Sequence, residues 1–276
     1  MPAEGTKETK AFYDSQGWEV VETGASLDQE LFGVKEDGPI RQRIFERAND
    51  RYLGFVAPDQ PSSSVLEVGC GGSPNIRLPY MFDKYTGVDF SSKGLSMARQ
   101  KLSAFGETVE LLEADAVKLP FEDETFDTVY SAHMIYHIRD RKAQAAALDE
   151  MLRVVKSKGT IVLMTANPRP LLFPMRYLFR LVADTPLLSD IARNIKGSSP
   201  IPYNPAKLGW YKRHFGKRAE CRIVSGGIAS TAFNQSVTEF KHPGKFLWSL
   251  FDQLDEKFPY ASAYLGNYAT FFLTKS

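Results

Sequence analysis

The residues VLEVGCGGS, Val65 to Ser73, decide how the chain is read. Val65, Leu66 and Val68, with Ser64 before them, suit a short buried strand, while Gly69, Gly71 and Gly72 tolerate positive φ and let a ligand approach the main chain. The following residues, Ile76 to Tyr80, are expected to open a helix whose free N–H groups receive a carboxylate or phosphate. A dinucleotide fingerprint, G-x-G-x-x-G, requires glycine at position 74, where Pro74 stands, so a nicotinamide dinucleotide ranks low among the ligands this turn suits.

The next blocks narrow the choice. YTGVDF, Tyr85 to Phe90, ends in Asp89, about 20 residues after Gly69, where an acid accepts ribose hydroxyls in a doubly wound fold. VELLEADA, Val109 to Ala116, sets Asp115 at another strand end, and LPFEDETFDTVYSAHMIYHI, Leu119 to Ile138, follows. Leu152 to Lys156 reads LRVVK. In this order the blocks resemble the class I S-adenosylmethionine-dependent methyltransferases, in their small-molecule branch, between Ser64 and Leu163. Two departures stand out: Ser73 replaces the last glycine of the first motif, and Ser157-Lys158-Gly159-Thr160 replaces a Pro-Gly-Gly turn.

Composition agrees with an enzyme core. The 276 residues suffice for one large domain or a core plus a cap, and 43% hydrophobic with 24% charged residues is ordinary for a globular chain. A net charge of +1 lacks the basic footprint of a nucleic-acid binder. Cys70 and Cys221 are the only cysteines, which speaks against a disulfide framework and for a reducing, cytoplasmic setting. The polar opening MPAEGTKETK lacks the apolar stretch of a signal peptide, and no run of ~18 uncharged apolar residues is available to span a membrane.

Strands are expected near 64–69, 85–90, 109–114, 126–132 and 159–166, then at 219–224 and 268–274, with a helix from about 141 to 156. Such alternation predicts an α/β, doubly wound, mostly parallel sheet. The resemblance implies a Rossmann-like order of 3-2-1-4-5-7-6 with the last strand antiparallel. Residues 1–60 are read as an N-terminal helical segment covering the cofactor site, with a stripe of Ile40, Ile44, Ala48 and Tyr52. Residues 61–166 and 217–276 form the core, 167–216 a substrate cap, and 225–267 a second insert.

The resemblance also assigns roles. Glu67 would hold the methionine amino group, with Gly69, Cys70 and Gly71 offering backbone groups. Asp89 would take the ribose hydroxyls, Phe90 would lie against adenine, and Asp115 with the Ala116 N–H would meet its edge. Ser131 would meet the amino-acid portion, and Tyr13 would fold over the cofactor. Each has a plainer rival: a strand-end acid, a cap, or simple packing.

Methyl transfer needs alignment and exclusion of water, and a hydroxyl nucleophile gains from a general base. His133 and His137 follow the fourth strand and are the candidate bases, each with a structural hydrogen-bonding role as its rival. Tyr136, Tyr203, Trp210, Tyr211 and His214 are the expected acceptor contacts. No carboxylate cluster or Cys/His spacing suggests a metal. Between Arg169 and Arg222 stand eleven basic and three acidic residues, a local charge near +8 that suits an anionic acceptor or a merely solvated face. LLFPMRYLFRLV, Leu171 to Val182, reads as a lid helix ahead of a membrane-surface one. The favoured function is methylation of a small molecule at oxygen, with S-adenosyl-L-homocysteine as product. Carbon or nitrogen methylation and noncatalytic cofactor binding are the rivals.

Overall fold

The computed structural model describes residues 4–19, 46–47, 50–51, 53–55, 63–169, 203–226 and 243–276. These form one sheet from β1 (Ser64–Val68), β2 (Lys84–Asp89), β3 (Val109–Glu113), β4 (Phe126–Ala132), β5 (Val155–Ala166), β6 (Ala219–Ser225) and β7 (Tyr268–Lys275). Its order is β3-β2-β1-β4-β5-β7-β6. The first five strands pair in parallel and β7 lies antiparallel between β5 and β6, so the doubly wound sheet, its order and its reversed strand are as expected.

Around the sheet lie α1 (Glu4–Phe12), α2 (Leu78–Met81), α3 (Ser92–Lys101), α4 (Arg141–Val154), α5 (Leu208–Phe215), α6 (Pro243–Lys257) and α7 (Pro259–Leu265). A π-helical turn, Tyr13–Gly17, follows α1, and a single 3-10 turn, Ile135–His137, follows β4. The alternation of β1 explains its apolar run. Leu66 and Val68 enter one buried cluster with Leu148, Met151 and Phe271, while Val65 enters the other with Tyr85, Tyr130 and Val162. Parallel strands covered on both faces need apolar residues at successive positions. Glu67 shares the face of Val65, which drives its carboxyl among tyrosines.

Side chains fix the helix starts. Ser91 accepts the Gly94 N–H at 3.1 Å to cap α3, and Asp140 accepts the Ala143 N–H at 2.9 Å to cap α4. Arg153 joins α4 to the loop before β4: it donates to the Leu119 and Phe121 carbonyls at 3.1 and 2.7 Å and pairs with Asp123 and Glu150 at 2.8 Å each. The paired motifs LPF and LRV are thereby one structural unit.

Two local expectations need correction. No helix runs from Ile76 to Tyr80; α2 begins at Leu78 and lasts four residues, because Pro79 suits only a first turn. The helix expected to reach 156 ends at Val154, and β5 starts at Val155 instead of 159. There a register shift between Phe126 and Thr128 absorbs the SKGT stretch, with Lys158 at φ 64°.

The described residues of the N-terminal segment between 46 and 55 reach α6 and β7. Arg47 pairs with Asp252 at 2.7 Å, Arg51 with buried Asp255 at 2.8 Å, and Phe55 stacks on Phe272 at 4.0 Å. The stripe Ile40, Ile44, Ala48 and Tyr52, residues 170–202 of the cap and 227–242 of the second insert lie outside the described residues. The described residues on either side of 170–202 are tied to the rest of the fold. Asn167 donates from Nδ2 to the Gly266 carbonyl at 3.1 Å, and Gln144 Nε2 donates to the Asn204 carbonyl at 2.8 Å.

Candidate active site

The glycine turn follows β1 directly, with Gly69 at φ 79° and Gly71 at φ 50°. Both conformations suit glycine, and packing adds a second demand: a methyl at Gly69 would stand 2.4 Å from the Met134 side chain. Ser73 is not among the residues of positive φ, and Lys101 Nζ donates to its Oγ at 3.3 Å and to the Gly72 carbonyl at 2.6 Å. The serine departure therefore falls on the outer side of the turn, where no glycine conformation is required.

Two carboxylates are buried beneath the turn. Glu67 is 5% exposed, accepts the Tyr85 hydroxyl at 2.7 Å, and takes the Asn75 N–H at 3.1 and 3.2 Å from its two oxygens. Burial pushes its pKa up to about 7, against the opposing pull of Tyr85 and Asn75. Asp89, 7% exposed, accepts from Gly71 N–H at 2.9 Å and Ser91 N–H at 2.8 Å. Burial lifts it to about 6, with the same two N–H groups and Lys10 opposing. Of the turn's backbone N–H groups, that of Gly71 thus serves Asp89, while those of Gly69 and Cys70 donate to the Val88 carbonyl at 2.8 and 3.1 Å; after the turn, those of Leu78 and Tyr80 donate to the Asn75 and Arg77 carbonyls. A carboxylate offers about four acceptor sites, so both retain capacity for donors of a bound cation.

Cys70, 3% exposed, has a thiol pushed well up by burial, which makes it a small packing residue. Ser131 is wholly buried and donates from Oγ to the Val68 carbonyl at 2.9 Å, tying β4 to β1 below the turn. Asp115 accepts the Val117 N–H at 3.1 Å in a local turn, and Ala116 packs against the core.

An aromatic cover comes from the N-terminus. The Tyr13 ring lies 5.2 Å from Trp18, 6.3 Å from Phe90 and 6.5 Å from His137. Thr9 donates to the His137 carbonyl at 3.2 Å, and Lys10 binds the Phe90 carbonyl and, at 3.0 Å, Glu113. Tyr13, Glu67, Gly69, Gly71, Asp89 and Phe90 are thereby drawn to one place.

Beyond the tip of β4 stands His133, at φ 60°, a conformation that non-glycine residues adopt at a cost. Its Nδ1 is 2.9 Å from the Tyr136 hydroxyl, and its ring meets Tyr268 edge-on at 4.9 Å. Surrounding protein, then His137, pushes its pKa down to about 4. The residue is nonetheless exposed. The imidazole is neutral at pH 7. His137 is 6% exposed and lies against Tyr13 and Tyr136. Tyr203 packs on Tyr136 at 5.4 Å.

The remaining expected acceptor contacts lie elsewhere. Tyr211 is fully buried, with its hydroxyl 2.9 Å from Thr165 Oγ1 and its ring against Phe271. Trp210 and His214 stack on each other and face α4, Trp210 toward Arg141 and His214 Nε2 2.9 Å from Asp149. These three positions hold α5 to the core and do not join the residues at the strand tips. Trp18 contacts Tyr13, Asn75 and Tyr85 contact Glu67, and Tyr268 contacts His133; the sequence reading did not single them out. Trp18 lies in the stretch AFYDSQGW, Ala11 to Trp18, beside Tyr13, whereas nothing local marks Tyr268, which is brought to His133 by the β5–β7 pairing. Among the described basic residues between Arg169 and Arg222, Arg218 pairs with Asp149 at 2.8 Å and Arg222 with Glu220 at 3.2 Å. Among the described residues no cluster of three or more His, Cys, Asp or Glu could hold a metal, and no helix is long and apolar enough to cross a membrane.

Residues 66–163 match the sequence pattern of a methyltransferase domain. A demethylmenaquinone methyltransferase of Bacillus cytotoxicus is 34% identical over 172 residues, covering 54% of this chain and 71% of its own length. The chain spans about two thirds of the length of the curated relatives it matches. The magnesium protoporphyrin IX methyltransferase of Synechocystis, solved with its demethylated cofactor SAH, superposes with a TM-score of 0.56 at 15% identity, covering 98% of this chain and 100% of that one. A cyclase, SpnF, superposes at 0.54 with 16% identity over 88% and 86%. At such identities the superpositions speak for the fold.

Proposed function

The chain belongs to the class I S-adenosylmethionine-dependent methyltransferases, and from that premise we propose that it methylates a hydroxyl oxygen of a small molecule, with His133 as general base. The observation that carries the choice of base is the 2.9 Å contact between His133 Nδ1 and the Tyr136 hydroxyl, in an exposed residue whose ring is neutral. His137, by contrast, is enclosed between Tyr13 and Tyr136.

The donor site fits its cofactor on chemical grounds. Two buried carboxylates with spare acceptor capacity, Glu67 and Asp89, suit an ammonium and a ribose diol, and Phe90 and Tyr13 supply flat apolar walls. When bound, S-adenosylmethionine contributes an electrophilic methyl on a positive sulfur. The protein's part is to orient and to exclude water. His133 Nε2 accepts the acceptor's hydroxyl proton while Nδ1 donates to Tyr136, the arrangement in which a third group fixes the tautomer of a base. An imidazole of depressed pKa is a weak base. It suits an acidic hydroxyl, phenolic or enolic, and Tyr136, Tyr203 and Tyr268 offer ring faces and edges to a flat molecule.

A second reading takes carbon as the nucleophile. It is favoured by the identity to enzymes named for demethylmenaquinone. Turnover of a panel of phenols, enols and quinols at saturating cofactor separates the two, with product analysis locating the methyl. Full activity in a His133→Ala, His137→Ala double variant would rule out a histidine base, and binding of NAD in place of S-adenosylmethionine would remove the whole reading.

A further inference from the structure

Trp18 sits on the glycine turn with an unanswered donor. It is 7% exposed, and its indole Nε1 is buried without a hydrogen-bond partner. The ring lies so close that a methyl at Gly71 would stand 2.5 Å from Cζ2, one at Gly72 2.8 Å from Cε3, and one at Gly94 2.8 Å from Nε1. A buried N–H left unpaired costs about 1–3 kcal/mol, and native interiors rarely retain one. Its surroundings are those of a ligand site: the N–H of Gly71 is held by Asp89, and Gly94 lies in the first turn of α3. Packing alone would be met as well by phenylalanine, which brings no donor.

We propose that Trp18 is a cofactor-binding residue whose indole N–H donates to an oxygen of S-adenosylmethionine held on the glycine turn, while the ring shields that turn from water. The proposal rests on the cofactor reading above. It adds a contact to the cofactor from the N-terminal segment. The partner oxygen belongs to the ribose or to the methionine carboxylate. Methylthioadenosine, which keeps the ribose and lacks the carboxylate, distinguishes them.

The test is calorimetric titration of the full chain and its Trp18→Phe variant with S-adenosylmethionine, S-adenosylhomocysteine and methylthioadenosine, alongside thermal melts without ligand. A lost donor to a bound oxygen predicts affinity about tenfold weaker in the variant, with a melting temperature at or above wild type because the unpaired N–H is gone. The loss persists with methylthioadenosine if the ribose is the partner and vanishes if the carboxylate is. Wild-type binding with equal or tighter binding by the variant overturns the role of Trp18 alone. Failure of the wild type to bind S-adenosylmethionine overturns the cofactor reading instead. Trp18→Tyr, which restores a donor at the ring edge, is expected to regain part of the affinity, and a merely structural role gives no such split between stability and affinity.

Discussion

At the residue scale, the irregular stretch near the start of β5 offers the cleanest test of backbone reasoning. Lys158 adopts φ 64°, whereas a methyl at neighbouring Gly159 would stand 2.8 Å from the Asp127 carbonyl oxygen. The two positions therefore answer to different constraints, one conformational and one steric. Lys158→Gly is expected to stabilise the protein by up to about 1 kcal/mol, since relief of the left-handed strain exceeds glycine's extra chain entropy. Gly159→Ala is expected to destabilise by about 1–3 kcal/mol; urea unfolding of both variants checks the pair. The same distinction explains which site residues could be read beforehand. Glu67 and Asp89 lie in the last two residues of strands whose periodicity is local, so their placement follows from a few neighbouring residues. Tyr268 reaches His133 across a strand pairing, and Trp18 reaches Gly71 across more than fifty positions, so neither contact leaves a local trace.

At the scale of elements, the loop from Leu119 to Thr125 depends on one helix residue. Arg153 answers two of its carbonyls and pairs with Asp123 and Glu150, while Glu150 accepts the Leu119 N–H at 2.7 Å. A planar guanidinium can serve four partners at once, and an ammonium cannot. Arg153→Lys should therefore recover little of the loss in Arg153→Ala, which is expected to cost about 1–3 kcal/mol and to lower the melting temperature by several degrees. Differential scanning calorimetry of both variants measures it, and a lysine variant as stable as wild type would contradict the fork geometry. The sequence blocks LPF and LRV were legible as motifs, yet their bond to each other was not, because it lies in side-chain geometry thirty residues apart. The error at α2 has the opposite origin: a proline at the second helical position fits a helix start and does not establish its length.

At the scale of the whole molecule, the buried acids set stability against binding. The folded-state pKa of Glu67, about 7, lies above its ordinary 4.5 because burial disfavours the charge. Folded protein therefore holds the proton more tightly than unfolded chain, and the stability this confers, complete below about pH 4.5, is lost as pH rises to about 7. Asp89, raised to about 6 from 3.8, acts in the same direction between those values. His133 opposes them: its folded pKa is depressed to about 4 from 6.5, so its share is present above 6.5 and lost as pH falls. Wild-type melting alone would mix these effects, whereas Glu67→Gln isolates one. Without ligand, the melting temperature of Glu67→Gln minus that of wild type is expected to grow as pH climbs from 4.5 to 7 and then level off. A cationic cofactor needs the ionised acid, so wild-type binding at pH 6 should release close to one proton from Glu67. Calorimetry in buffers of different ionisation enthalpy measures that release, which the glutamine variant should largely lose together with affinity. A variant that gains no stability with rising pH would mean that Glu67 is already ionised in the folded protein, and a wild type that binds without releasing protons would mean that the cofactor does not require Glu67 to lose a proton.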